Sequence, residues 1–397
     1  MVETEAVEVE VHLVFAAPPD SHPLLHYAEH LAWLSAVGAA TRDADRHSNA
    51  WTSDRAVGYW LSGAPEDLPD LLETLFGVFD PIDLPREFAG QERDVILREY
   101  EHRVAGNPDA QARMAMDAFL YEGNAIAASV IGTPEEIMAL DQDEARALHG
   151  DTHRPESATL VIIGDVTERE VRSALREVDW PEPEGGHVAF APPSFDLAAH
   201  TKKTLRRSWP KAAPRLLWRR VVALTEPVQF DLLEAQTALL RDILDTNLPG
   251  GVAGPLRFDA AVARSFGIRI WPIDEYNVEV GFTAAPDQGV SLTALQTVFE
   301  ETLAENAETG IPDATHSRVL DRFDGFWPDW EDGDETARWM ANYVLDRVSA
   351  LREPLSEHEL KRLDQGLTLE ATNALLRQIA GESRTAAAFI GPEDAFE

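Results

Sequence analysis

Residues 26–30 have the sequence HYAEH, a short stretch that decides both the fold and the chemistry that we expect. On a helix, residues three and four positions apart share one face, so His26 and His30 can present two imidazoles to one ion. Glu29 places a carboxylate beside that ion. A catalytic zinc site requires two imidazoles, a carboxylate from elsewhere in the chain and one position open to water. The pattern His-x-x-Glu-His is the inverted form of the zincin helix, and it predicts hydrolytic zinc chemistry.

A second acidic stretch, residues 92–99 with the sequence ERDVILRE, can complete this site. Glu92 and Glu99 are seven positions apart, so on a helix they lie on the same face, two turns from each other. Because zinc needs a third protein ligand, Glu99 is the candidate. Glu92 is better placed to hydrogen-bond a ligand or to put a charge near the substrate. The alternative is that Glu92 is an ordinary acidic residue in a very acidic chain.

Five stretches together resemble the pitrilysin/insulinase-type zinc metallopeptidase family, and the resemblance runs over almost the whole chain. They are residues 26–30, 48–53, 92–99, 131–137 and 155–165. Their order and spacing agree with the family, which makes the match more specific than one five-residue motif. The resemblance implies that zinc is the cofactor and that His26, His30 and Glu99 are its ligands.

The same resemblance implies the reaction and the way in which substrate binds. Glu29 and Glu92 are the candidate catalytic residues, with Glu29 as the base that deprotonates the zinc-bound water. The stretch SNAWTS resembles the family's edge strand, to which an extended peptide adds as a further strand. Asn49, Ala50 and Trp51 are then the substrate-binding residues, through backbone hydrogen bonds. We therefore expect a zinc metalloendopeptidase that hydrolyses extended peptides or unfolded proteins.

The composition is that of an unusually acidic globular protein. Asp and Glu total 70 against 34 Lys and Arg, for a formal charge of -36, while 44% of the residues are hydrophobic. Such a chain can build cores, and its excess acid is typical of proteins that stay soluble in concentrated salt, where charge repulsion is screened. A negative field of this size repels phosphates, which disfavours a nucleic-acid partner. We expect a halophilic protein.

Cysteine and targeting signals are missing from the sequence. Without Cys, the chain forms no disulfide and has no thiol nucleophile. Its first ten residues, MVETEAVEVE, lack the basic and apolar regions of a secretory signal. No apolar run approaches the roughly 20 residues that a spanning helix needs. The expected location is the cytoplasm, without a membrane partner.

An internal duplication organises the chain. Residues 58–67, which lead into an apolar helical stretch, resemble residues 280–287 in the same setting. The offset of roughly 220 residues means that one half repeats the other. Each half has an α+β pattern, which predicts two homologous α/β-roll domains, each a mostly antiparallel sheet with helices on one face. We place a metal-bearing domain at residues 1–190 and a homologous domain without a metal motif at residues 191–397.

Two departures from the family pattern bear on function. Only one strand, about Val7 to Phe15, precedes the metal motif, so the usual first strand is shortened or missing. In the second half, catalytic single-subunit members of the family carry an Arg and a Tyr that hold the substrate carbonyl and the developing oxyanion. Those positions fall here on Ala261 and Ile268, with Arg257 and Arg264 as near substitutes of uncertain geometry.

Three functions therefore remain open. The chain is an active zinc endopeptidase on its own, the metal-bearing subunit of a two-subunit peptidase, or a non-proteolytic peptide-binding relative. The complete set of ligands and base argues against the third function, since a structural role does not need all four residues. The second function predicts a homologous subunit whose own second half carries the missing Arg and Tyr. As partners we expect a peptide or unfolded-protein substrate and a homo- or heterodimer with a homologous subunit.

Residues 201–220 form a basic segment with eight cations and no acid. One interpretation is a docking strip for the acidic first half of the chain or for an acidic substrate. The other is a linker and first strand whose charges neutralise local acids. We favour the second, because runs of charge are usually solvated faces.

Overall fold

The computed structural model describes residues 2–3, 8–38, 47–178, 180–181, 201–323 and 333–397. The predicted domain boundary at residues 190 and 191 lies outside these ranges. The strands are β1 (Val2–Glu3), β2 (Val9–Ala16), β3 (Ser48–Thr52), β4 (Ala56–Gly63), β5 (Ala158–Gly164), β6 (Lys202–Ser208), β7 (Arg215–Ala223), β8 (Ala263–Pro272), β9 (Asn277–Pro286) and β10 (Arg384–Gly391).

Helices make up most of the remaining regular structure. They are α1 (Leu24–Val37), α2 (Leu68–Phe76), α3 (Arg86–Tyr100), α4 (Pro108–Leu120), α5 (Pro134–Ala139), α6 (Gln142–Thr152), α7 (Glu168–Glu177), α8 (Phe230–Leu244), α9 (Leu292–Thr309), α10 (Asp313–Leu320), α11 (Gly333–Ser349), α12 (Glu357–Leu363) and α13 (Leu369–Ala380). Within the described ranges, none of these helices combines the length and the apolar character needed to cross a membrane.

The strands form two five-stranded sheets with the same internal order. The first sheet runs β1-β5-β2-β4-β3 and the second β6-β10-β7-β9-β8. In each sheet one outer strand pairs in parallel, and the remaining neighbours are antiparallel. The predicted α+β fold with two mostly antiparallel sheets is confirmed. Strand β1 pairs with β5 and precedes β2, so more than the one strand that we expected lies before the metal motif.

Two compact units contain one sheet each, and each unit takes a segment from the other half of the chain. Unit 1 consists of Met1–Arg103, Ala128–Pro193 and Pro328–Pro354, and unit 2 consists of Val104–Ala127, Ser194–Trp327 and Leu355–Glu397. Helix α4 therefore belongs to unit 2 and helix α11 to unit 1. The duplication is visible in the strand order, while these two helices are exchanged between the repeats.

The main core of unit 1 lies between its sheet and the helices that include α1, α2 and α3. The residues of β2 that face this core are fully buried: Val9, Val11, Leu13 and Phe15. They alternate along the strand because successive side chains point to opposite faces. Helix α1 packs Leu25 and Leu31 into the same core. It ends at Gly38, whose φ of 76° lies in the left-handed region that glycine adopts without strain.

One helix covers the opposite face of each sheet, which our expectation of helices on one face did not include. On the sheet of unit 1, α11 packs residues at helical spacing: Ala341, Val344, Leu345 and Val348. On the sheet of unit 2, α4 does the same with Ala112, Met116 and Leu120. The periodicity of a sequence reveals that a helix has an apolar face, but not which sheet that face covers.

The basic segment contacts α4 within unit 2. Arg215 Nε lies 2.5 Å from Asp109 Oδ1, and Arg219 Nη1 lies 2.5 Å from Asp117 Oδ1. Arg219 also donates to both carboxylate oxygens of Glu279, with Nη2 to Oε2 at 2.8 Å. Because α4 comes from the first half of the sequence, these cations do bind acids of that half, as part of one folded unit. The contacts agree with the interpretation that the segment binds acids of the first half, and the largely buried Arg219 and Arg220 do not lie on the solvated face that we expected.

Replacement of Arg219 tests the importance of this ion cluster. The Glu279 side chain is 0% exposed, so Arg219→Met leaves a buried carboxylate without its guanidinium. Loss of one partner of a buried pair typically lowers the free energy of unfolding by about 3–5 kcal/mol. Urea denaturation measures this loss. The matched control is Arg207→Met on the exposed strand β6, where we expect a change within about 0.5 kcal/mol. Equal effects of the two substitutions would contradict the structural role of Arg219.

Candidate metal centre

Helices α1 and α3 bring the three predicted metal ligands together in unit 1. His26 and His30 lie on α1, one turn apart, and Glu99 lies near the end of α3. One ligand atom from each residue can be chosen so that all lie within 4.8 Å of one another. His26 Nε2 lies 3.6 Å from Glu99 Oε2. The helical spacing thus places both imidazoles beside the carboxylate from a distant part of the chain.

The three side chains fit a metal ion. Glu99 Oε2 is a buried atom without a hydrogen-bond partner in the described structure, although buried polar atoms almost always have one. At zinc's usual bond lengths, tetrahedral ligand atoms lie about 3.4 Å apart, close to the 3.6 Å between His26 Nε2 and Glu99 Oε2. Two imidazole nitrogens and a carboxylate oxygen are also the donor set of catalytic zinc sites. The geometry and the unsatisfied oxygen both suit such an ion.

The pKa of His26 favours metal binding. Burial, assisted by the neighbouring imidazole of His30, lowers the pKa of His26 to about 3. The His26 ring is therefore neutral at physiological pH, and a neutral imidazole is the form that ligates metals. The rings of His26 and His30 stand nearly perpendicular, at 83°, with centroids 4.8 Å apart.

Glu92 contacts the second imidazole. It lies on α3 and is 2% exposed, and its Oε2 is 3.2 Å from His30 Nδ1. Burial alone lowers the pKa of His30, but the hydrogen bond to Glu92 and the nearby charge of Glu29 outweigh it, so that the pKa of His30 is raised. A carboxylate on one ring nitrogen leaves the other for a metal and fixes the orientation of the ring. Glu92 is thus no ordinary surface acid.

Glu29 is a buried carboxylate beside the three ligands. It is 6% exposed, and its Oε2 lies 3.9 Å from His26 Nε2. The same oxygen accepts a hydrogen bond from Thr52 Oγ1 at 3.0 Å. Burial raises the pKa of Glu29, which brings a carboxylate closer to the range in which it can accept and release a proton near neutral pH. This arrangement suits a general base.

The predicted substrate-binding residues lie on β3, an outer strand of the first sheet. Asn49 is exposed, and Ala50 packs against the core that contains α1. Trp51 points to the other face, where its ring occupies the space that a Cβ at Gly58 would need. Thr52 follows Ala50 on the α1 side of the strand, and its contact with Glu29 was missed in the sequence. The only signal for that contact was the two-residue alternation of the strand.

The positions that correspond to the family's Arg and Tyr have no donor side chain. Ile268 lies in β8, is 7% exposed, and is paired across the sheet with Phe282. Ala261 precedes this strand, with a φ of 49°. Arg257 and Arg264 are both exposed. Three arginines of unit 2 lie near these positions in the sequence, Arg257, Arg264 and Arg269, and none of them takes the place of Ala261 or Ile268.

Comparisons with known proteins agree with the geometry. No protein-family model matches the chain. An uncharacterized zinc protease from Mycobacterium leprae is 22% identical over 92% of this chain and 82% of its own length. A probable mitochondrial-processing peptidase subunit beta from Schizosaccharomyces pombe is 22% identical over 42% of this chain and 38% of its own length.

A solved structure supports the same relationship at the level of the fold. The putative M16-like peptidase from Alicyclobacillus acidocaldarius superimposes with a TM-score of 0.75 at 19% identity, over 99% of this chain and 95% of its own. At this identity the likeness concerns the fold alone. Together with the sequence relatives, it makes the chain a relative of the pitrilysin/insulinase-type (M16) peptidases.

Proposed function

We propose that this chain is a zinc-dependent endopeptidase that hydrolyses extended peptides or unfolded proteins. The observation that carries the proposal is the meeting of His26, His30 and Glu99 within 4.8 Å, with the buried carboxylate of Glu29 beside them. Peptidase names among the relatives support hydrolysis of peptide bonds. The zinc, the residue roles and the substrate class belong to the proposal.

The side chains of this site have distinct roles in the proposed reaction. His26, His30 and Glu99 would hold the zinc. When bound, zinc acidifies water and polarises the scissile carbonyl. Glu29 accepts the proton of the attacking water and returns it to the leaving amine, for which a raised pKa is favourable. Glu92 holds the imidazole of His30 in one orientation through their hydrogen bond.

We also propose that substrate binds along β3. An outer strand has backbone N–H and C=O groups available to an added strand, so an extended peptide can pair with it. In this proposal, Asn49, Ala50 and Trp51 bind the peptide through their backbones. Backbone hydrogen bonds do not depend on most side chains of the bound peptide. This mode of binding therefore suits unfolded or extended substrates of varied sequence.

A second candidate function is the metal-bearing subunit of a two-subunit peptidase. Ala261 and Ile268 stand where donors to the oxyanion are expected, and neither side chain can donate a hydrogen bond. The relative from Schizosaccharomyces pombe is named as one subunit of a processing peptidase. We propose that a homologous but different subunit, in a heterodimer with this chain, supplies the missing Arg and Tyr.

Substitution of the ligands tests the metal site. His26→Ala and His30→Ala each remove a ligand, so we expect the zinc content of purified protein, measured by mass spectrometry of the metal, to fall well below one ion per chain. His47→Ala is the matched control, since this exposed histidine lies in unit 1 but outside the ligand group. It is expected to keep the full zinc content. A His26/His30 double variant that retains one zinc per chain would place the metal elsewhere.

Substitution of Glu29 separates the base from the ligands. Glu29→Gln keeps the size of the side chain but cannot accept a proton, so zinc content is expected to stay constant. Turnover of an extended peptide is expected to fall by about a hundred- to ten-thousandfold, the usual contribution of general acid–base catalysis. Glu87→Gln, an exposed position on α3, is the control and should keep parental turnover. Parental turnover in Glu29→Gln would exclude Glu29 from the mechanism.

The need for a partner is tested by comparing the chain alone with the preparation from its host. Loss of one oxyanion donor costs about a hundred- to a thousandfold in turnover, so the isolated chain is expected to bind zinc and to cleave weakly. Full activity should appear with the homologous subunit. A reconstituted pair containing Glu29→Gln is the control, because it must be inactive if this chain provides the metal site. Equal turnover of the isolated chain and the host preparation would contradict the proposal that full activity requires a partner subunit.

A further inference from the structure

The hydroxyl of Thr52 links the outer strand β3 to the proposed base. Thr52 Oγ1 donates to Glu29 Oε2 at 3.0 Å. Among the described residues, this is the one hydrogen bond that the side chain of Glu29 accepts. The accepting oxygen, Oε2, also lies 3.9 Å from His26 Nε2. The contact joins residues that are 23 positions apart in the sequence.

The environment of Glu29 makes this donor important. The carboxylate is 6% exposed, so little water can solvate it, and a buried charge is tolerated only when hydrogen bonds or opposite charges compensate. Glutamate has three rotatable side-chain bonds, and without a fixed donor its carboxylate can occupy several orientations. The hydroxyl of Thr52 selects one of them.

The position of Thr52 is itself fixed by the hairpin of β3 and β4. Thr52 pairs opposite Val57, and the next residue closes the turn, with Ser53 N donating to Ala56 O at 2.8 Å. Ala56 N donates in return to Ser53 Oγ at 3.1 Å. Threonine is also branched at Cβ, which restricts rotation about its first side-chain bond. The donor is therefore held in place before any substrate binds.

We propose that Thr52 is a positioning residue that holds the carboxylate of Glu29 beside the metal ligands and couples β3 to the base. The inference rests on the proposed function, because it assigns Thr52 a part in that reaction. Its consequence is specific to β3: the strand that receives the peptide also aligns the group that accepts the proton. A shift of β3 by about 1 Å would then lower turnover as well as weaken binding.

The test uses the full chain, with its partner subunit where activity requires one, and three substitutions. Thr52→Val removes the hydroxyl at nearly constant shape, and Thr52→Ser keeps it. Thr74→Val on α2 is the matched control, because its hydroxyl donates to the backbone oxygen of Asp70 at 2.9 Å and contacts none of the proposed site residues within the described ranges. We expect unchanged zinc content in all three, since no ligand is altered. In Thr52→Val, kcat is expected to fall by about ten- to a hundredfold at nearly constant KM.

Three further readouts test the proposed role of Thr52. Thr52→Ser is expected to restore most of the kcat that Thr52→Val loses. In a Glu29→Gln background, Thr52→Val should cause little further loss, because residues that act as a unit have non-additive effects. In the metal-free protein, Thr52→Val is expected to melt at a lower temperature than Thr52→Ser, since the buried carboxylate loses its donor.

Each outcome bears on one of the two proposals. Parental kcat in Thr52→Val would overturn the role of Thr52 and leave the peptidase intact. An equal loss of kcat in the parental and Glu29→Gln backgrounds would also overturn it, because Thr52 would then act through another group. A zinc-loaded parental chain that cleaves nothing, even with its partner, would instead overturn the proposed function and the role that rests on it.

Discussion

The burial of ionisable side chains between α1 and α3 is the constraint on which the site depends. Five such groups share this region: His26, Glu29, His30, Glu92 and Glu99. Removing a charged group from water typically costs several kcal/mol unless an opposite charge or hydrogen bonds compensate. Three carboxylates face two imidazoles, and the pKa of one imidazole is lowered to about 3. In the proposed function, a divalent cation would add positive charge to this group and so would couple metal binding to the stability of the helix pair.

The packing of α1 on α3 sets the accuracy of that arrangement. Tyr27 donates its hydroxyl to Ala89 O at 2.8 Å, and His30 contacts Glu92 at 3.2 Å. Because Tyr27 and His30 are one turn apart on α1, and their partners are one turn apart on α3, both contacts join the same two helix faces. The fully buried tyrosine thus holds the helices in register for the histidine next to it. The contact of Tyr27 in the core and the contact of His30 in the site therefore belong to the same interface between α1 and α3.

Local periodicity explains which parts of the structure could be predicted from the sequence. The motif at residues 26–30 and the pair Glu92 and Glu99 depend only on helical spacing, and the helices bring them together. The bond from Thr52 to Glu29 could not be predicted, because it requires the packing of a strand on a helix. The exchange of α4 and α11 between the units was missed for a related reason. An apolar stripe predicts that one face of a helix packs against another element of the fold. Which element this is depends on the tertiary structure.

The two units have the same strand order in their sheets, but among the described residues the group of possible metal ligands lies in unit 1. Helix α8 follows β7 as α1 follows β2, and both helices bury apolar side chains in their cores, but α8 has no histidine where α1 carries His26 and His30. Apolar side chains on such a face contribute to stability directly, while buried histidines and carboxylates must first be compensated. The polar face of α1 breaks the pattern that the fold would otherwise favour. Departures of this kind are expected at functional sites, and in the described residues the group of metal-ligating side chains lies in unit 1. In the proposed reaction, the donors that Ala261 and Ile268 cannot provide would come from another part of this chain or from another chain.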